Sequence, residues 1–158
     1  MADKIIAGSR VLAAPMNDLY ETDLLLWSER QAELLRRVAA GERVNDQVDW
    51  ENVVKEIAGV GRNELREVES LLVQAIAHTL KAEAWPTSRD TAHWHAEARR
   101  FRGDAAARFT PAMRQRLDME RIWRRALRAV PETIDGREPL THIPATCPVT
   151  LDELLSEN

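Results

Sequence analysis

A chain of 158 residues, 44% hydrophobic and 30% charged, has the balance of a globular domain with its own core, which excludes wholesale disorder. No apolar run approaches the ~18–20 residues a membrane span needs, and Arg10 interrupts the N-terminal apolar residues before a secretory signal core could form. One cysteine, Cys147, excludes an internal disulfide and a thiolate metal cluster. A bacterial, cytoplasmic setting without membrane association is the expectation.

The net charge of −4 conceals an asymmetry, because eleven arginines between Arg89 and Arg128 stand against five acids, a net +6. Such a segment attracts nucleic acid, or it is neutralised by acidic helices of its own fold. The five interspersed acids favour the second reading. So does the excess of arginine over lysine, 19 to 3 across the whole chain, which produces this density without any function.

In chain order, residues 1–17 show no period, are broken by Gly8 and Pro15, and read as an irregular arm. Residues 18–158 read as a single helical-bundle domain. A first helix starts near Asp18 or Glu21, with Asp18, Glu21 and Asp23 at the positive end of its dipole. Its inner face is Tyr20, Leu24, Trp27, Leu34, Leu35 and Val38, and Gly41 stops it. A short acidic loop leads to Asp49, placed to cap the next helix.

That next helix, Asp49 to Trp85, is the spine of the reading. Trp50, Val54, Ile57, Gly61, Leu65, Val68, Leu72, Ala75 and Thr79 recur at helical spacing and predict one continuous buried stripe. Each glycine of Gly59-Val60-Gly61 costs about 1 kcal/mol in a helix interior, so the pair needs a reason. Either a partner helix crosses closely at Gly61, or the segment kinks there. Pro86 ends the run.

A third helix is predicted over Ser88 to Phe109, with Trp94, Ala98, Phe101, Ala105 and Phe109 inward. Thr110-Pro111 signals the start of a fourth, whose inner positions are Met113, Leu117, Ile122, Trp123, Ala126, Leu127 and Val130. Asp135 to Pro148 is rich in proline and glycine and reads as an extended strap. Thr150-Leu151-Asp152-Glu153 has capping-box spacing and opens a short helix through Leu155. The fold class is all-α: four main helices, the second the longest, and a short C-terminal helix.

Little in the chain carries chemistry. On an ideal wheel of about 100° per residue, Glu64 falls about 20° from Ile57, inside the apolar stripe, with His78 on its edge. A carboxylate there needs a partner, since an unpaired buried charge is costly. It is paired with an arginine that fixes a helix crossing, or part of a polar pocket with His78, or the helix is rotated enough to expose it. His93 and His95 point to opposite sides of a helix and cannot share an ion, and Glu-x-x-His does not occur. No metal and no cofactor is expected. Cys147 reads as a small buried hydrophobe rather than a nucleophile. Phosphate-loop, dinucleotide and nucleophile-elbow motifs are absent from the sequence. Arg99-Arg100-Phe101-Arg102 and Arg121-Ile122-Trp123-Arg124-Arg125 mix basic and aromatic residues, but Phe101 and Trp123 belong to inner stripes.

Several segments together resemble a bacterial all-helical family known as domain of unknown function twenty-nine. They are Tyr20-Glu21-Thr22-Asp23 with Trp27, Glu56-Ile57, Gly61-Arg62-Asn63-Glu64 with Ser70, His78-Thr79-Leu80-Lys81, Trp94 with Arg102, and Ile143-Pro144-Ala145-Thr146-Cys147-Pro148-Val149-Thr150-Leu151. Val149 departs from the family's usual aromatic and Ala98 from its larger aliphatic. The resemblance implies an all-helical fold and a strap packed on the helices, brings no activity, and singles out Glu64, His78 and Arg102 as a candidate buried polar cluster.

The leading functional expectation is a non-catalytic interaction module that self-associates, since the long helix presents more apolar stripe than its shorter neighbours cover. The alternatives are a small enzyme or ligand binder built on Glu64, His78 and Arg102, and a nucleic-acid binder using the Arg99–Arg128 face. Its partner is then another copy or an unidentified protein, with nucleic acid the weaker candidate.

Overall fold

The computed structural model describes residues 16–156, so most of the expected irregular arm, residues 1–15, lies outside the described residues. Among the described residues the protein is all-α. Its helices are α1 (Met16–Thr22), α2 (Leu24–Ala39), α3 (Trp50–Ala84), α4 (Thr91–Arg108), α5 (Met119–Ala129) and α6 (Leu151–Leu155). The backbone groups into two compact units, one up to Gly59 and one from Val60 onward.

In the first unit, the single first helix of the sequence reading is two helices. Asp23 leaves helical geometry at φ −150°, and its carboxylate accepts from the Leu26 amide at 3.0 Å, capping α2. A short acid that bonds its own neighbouring backbone competes with helix, so Asp23 ends α1 and starts α2 rather than charging the interior of one helix. Met16 and Asn17, assigned to the arm, are already helical. At the other end the expectation holds. Gly41 adopts φ +86° and donates to Val38 O, while the Glu42 amide reaches Arg37 O, the double bond of a Schellman stop.

Trp27, Leu34, Val44, Val48 and Val53 form the unit's core, with Tyr20, Leu35 and Val38 packed against it. Val44 and Val48 come from the connection between α2 and α3, which folds into a 3-10 turn over Asn45–Gln47. Nothing periodic marks them in the sequence. Leu24, assigned inward, is exposed.

Asp49 caps α3 as expected, accepting from the Asn52 amide at 3.3 Å, the Asn52 side chain at 2.9 Å and Trp27 Nε1 at 3.1 Å. Its own amide donates to Gln31 Oε1 at 2.9 Å. Burial raises the carboxyl pKa, but the hydrogen bonds from Asn52 and Trp27 outweigh it and hold the group below its ordinary 3.8. A depressed folded value means the unfolded chain binds the proton first, so Asp49 stabilises the fold above the unfolded value. That contribution disappears as pH falls from about 4 through the folded value. Acid titration followed by tryptophan fluorescence is expected to show this transition, and Asp49→Asn to flatten it, with stability already lowered at neutral pH because the ionised form's contribution is gone. An unaltered acid transition in that variant contradicts the assignment.

The long helix continues through Gly59-Val60-Gly61, so the segment is not divided into two helices there. The close crossing expected at Gly61 is also absent, since a Cβ added there meets nothing within 4 Å.

In the second unit, Val68, Leu72, Val73, Ile76 and Leu80 of α3 pack with Ala105 of α4, with Ile122, Trp123 and Ala126 of α5, and with Leu151 and Leu154 of α6. Thr110-Pro111 starts only a 3-10 turn, Pro111–Met113, and Thr110 makes no side-chain cap bond. The helix proper waits for Asp118, which accepts from the Arg121 amide at 3.1 Å. Leu117 is thereby buried from a turn rather than a helix. The strap is present and tied down by backbone carbonyls. Trp85 Nε1 donates to Arg137 O at 2.9 Å, Leu140 N to Ala84 O at 2.8 Å and Trp123 Nε1 to Pro144 O at 3.0 Å. The capping box at Thr150 and Glu153 forms in both directions. A helix of only five residues has no stability alone, and burial of Leu151 and Leu154 holds α6 in place.

Candidate interaction surface

The buried stripe expected along all of α3 exists only in its second part. Toward the N-terminus Trp50 is 43% exposed, Val54 61% and Ile57 67%, and Val53 is the buried position instead. The reason is supply: in the first unit Trp27, Leu34, Val44 and Val48 cover the side of α3 that carries Val53. Trp50, Val54 and Ile57, at i, i+4 and i+7, line up on one uncovered face. Leu24 and Leu25 of α2 are exposed as well, and with Trp27, Ser28 and Glu56 they line an open depression of about 400 Å³. Beside it Tyr20 donates to Glu56 Oε1 at 2.5 Å, and Lys55 Nζ sits 4.7 Å above the Tyr20 ring. The motif residues Tyr20, Asp23, Trp27 and Glu56 thus build the scaffold under this surface.

The candidate cluster is not assembled by these contacts. Glu64, expected in the stripe, has a side chain 52% exposed and lies 3.7 Å from Arg108 Nη1. His78 Nδ1 pairs with Gln74 O at 2.8 Å, and its ring lies 5.4 Å from that of Phe101. Arg102 donates to Leu154 O, Glu153 O and Ser156 O at 2.9, 3.0 and 2.8 Å, filling the open carbonyls at the end of α6. Each of the three serves a different neighbour.

The enclosed acid is Glu69. Its side chain is 9% exposed and is held by Arg121 Nε and Nη2 at 3.2 and 3.1 Å and by Arg125 Nη1 at 2.7 Å. The expected physics, an acid on α3 paired with arginine across two helices, therefore operates one turn and a half further along. A signal was available: Glu69 has Leu65, Leu72, Val73 and Ile76 at −4, +3, +4 and +7, all apolar. Glu64 has apolar Val60, Val68 and Leu71 at −4, +4 and +7 but differs at +3, where Glu67 stands in place of an apolar residue. Arg121 and Arg125, four apart on α5, point along one face to the same carboxylate.

The arginine-rich stretch is compensated in part, at five of its eleven arginines. Arg100, Arg108, Arg114, Arg121 and Arg125 all have a carboxylate within 4.0 Å. Cys147 donates its thiol to Val149 O at 3.2 Å, and burial pushes the thiol pKa up, away from thiolate reactivity. Among the described residues no group of three or more His, Cys, Asp or Glu side chains is placed to hold a metal ion. No helix among them is long and apolar enough to cross a membrane.

Among the described residues, the fold and surface define an all-helical protein with an exposed apolar face. The chain belongs to the family of the domain of unknown function DUF29, whose model matches residues 19–158. It is similar to an alpha-helical protein of unknown function from Rhodospirillum rubrum, known from a crystal structure. The two share 32% identity over 88% of this chain and 90% of that one, at a TM-score of 0.62. Comparison with curated proteins finds no match.

Proposed function

We propose that this chain is a non-catalytic interaction module that self-associates through the first turns of α3. The observation that carries the proposal is the row of Trp50, Val54 and Ile57, large apolar side chains left open on one helix face. A second copy suits this face because the face is self-complementary. An antiparallel pairing centred between Val53 and Val54 sets Trp50 opposite Ile57 of the copy and leaves Glu51 one residue in register from Lys55 of the copy. Support for a non-catalytic role comes from Glu64, His78 and Arg102, whose polar atoms are engaged with separate structural neighbours.

Sedimentation velocity over a range of concentrations tests this. The wild-type chain is expected to dimerise, and Ile57→Glu to be monomeric with an unchanged circular dichroism spectrum. Glu51→Lys is expected to weaken the dimer, and Glu51→Lys with Lys55→Glu to restore it. A wild-type chain that stays monomeric at high concentration, or a dimer indifferent to Ile57→Glu, removes the proposal.

A further inference from the structure

We propose that a cleft between α4 and α6 is a binding site for a small carboxylate bearing a short aliphatic tail. Arg99, Arg102, Gly103 and Ala106 are spaced i, i+3, i+4 and i+7, so they form a row on one face of α4. Facing them are Leu154 and Leu155, and together these residues line a cleft of about 150 Å³. Neither Glu64 nor His78 belongs to it, and it is independent of the α3 surface.

Arg102 is held in place by three carbonyls, which fix its guanidinium without neutralising it. Among the described residues no carboxylate lies within ion-pair distance of Arg102 or of Arg99. The nearby acids are engaged elsewhere. Asp152 pairs with Arg114 at 2.8 Å, Glu153 accepts from the amide and hydroxyl of Thr150, and Asp104 lies 3.7 Å from Arg100. Two guanidinium groups without a carboxylate partner among the described residues therefore border one cleft. At its floor glycine keeps space open, because a Cβ at Gly103 meets nothing within 4 Å.

The ligand chemistry follows from these walls. A planar carboxylate accepts two parallel bonds from a guanidinium fork, the strongest common form of this contact, and Arg99 is the one to supply it, because Arg102 commits Nε and Nη2 to the three carbonyls and keeps only Nη1 for a single bond. Ala106, Leu154 and Leu155 offer nothing to a bare inorganic anion but gain from covering a chain of a few methylenes, at about 0.8 kcal/mol for each one buried.

Titration of the isotope-labelled full chain with hexanoate, acetate and hexanol, followed by amide shifts, tests the site. Hexanoate is expected to give saturable shifts at Gly103, Ala106, Leu154 and Leu155, with at least tenfold higher affinity than acetate or hexanol. Arg99→Ala is expected to weaken hexanoate tenfold or more without altering the melting temperature, since Arg99 holds no other side chain among the described residues. Gly103→Leu is expected to fill the cleft and abolish binding. The same titration in Glu157→Gln removes the next carboxylate of the chain itself as a competitor. Shifts that stay linear in both backgrounds, equal affinity for hexanoate and hexanol, or binding unaffected by Arg99→Ala would overturn the assignment.

Discussion

Removing both guanidinium groups from Glu69, by Arg121→Ala together with Arg125→Ala, is expected to destabilise the second unit by about 3 kcal/mol. The Glu69 side chain is only 9% exposed, so the double variant leaves an ionised carboxylate enclosed without a counter-charge. The value lies at the low end for a broken buried pair, because both arginines are more than a third exposed and water screens them. Either single variant leaves one arginine in place and costs less, since the remaining guanidinium still satisfies the acid. Glu69→Leu removes the charge itself, and its effect is expected to stay within about 1 kcal/mol of the wild type. Urea unfolding followed by far-UV circular dichroism ranks the variants. If Glu69→Leu proves as damaging as the double arginine variant, the network contributes more than its desolvation costs, and enclosure of an unpaired charge is not what destabilises the double variant.

The displacement of the enclosed acid from Glu64 to Glu69 separates what is legible in the sequence from what is not. Helical content, the α3 and α4 spans, the Schellman stop at Gly41, the Asp49 cap, the strap and the Thr150 capping box all rest on local chemistry, and local chemistry is written in consecutive residues. Burial is not. The period along α3 shows that Trp50, Val54 and Ile57 share a face, but whether that face is covered depends on how many apolar side chains the neighbouring elements bring. Val44 and Val48, in an aperiodic connection, cover the Val53 side instead. Projecting one stripe through the whole helix therefore places the interior acid at Glu64, in a part of α3 where the apolar face is bare. Beyond Leu65 the apolar surface widens around Glu69, and a wheel centred on that part alone picks out the right residue. Arg102 illustrates a different limit: its partners are carbonyls about fifty positions away, which leave no trace in side-chain pattern.

Trp123→Ala is expected to be the most damaging single substitution in the strap and its seat, at about 3–5 kcal/mol. The indole is 2% exposed and packs in the core with Ile122, Ala126 and the leucines of α6. It also lines a small cleft with Pro148 and Val149, so truncation enlarges a space that is already incompletely filled. Its Nε1 donates to Pro144 O at 3.0 Å, one of the bonds that tie the strap to the helices. Trp123→Phe separates these contributions: most of the apolar area stays, and the lost hydrogen bond accounts for about 1 kcal/mol. With phenylalanine, Trp85 still holds Arg137 O and Leu140 still reaches Ala84 O, so the strap remains seated. With alanine the middle of the strap loses both its bond and its floor. Limited trypsin digestion at Arg137, set beside urea unfolding, distinguishes the outcomes. Faster cleavage is expected for the alanine variant and near wild-type resistance for phenylalanine. Equal cleavage of the two would mean that the single hydrogen bond to Pro144, rather than the buried ring, keeps the strap in place.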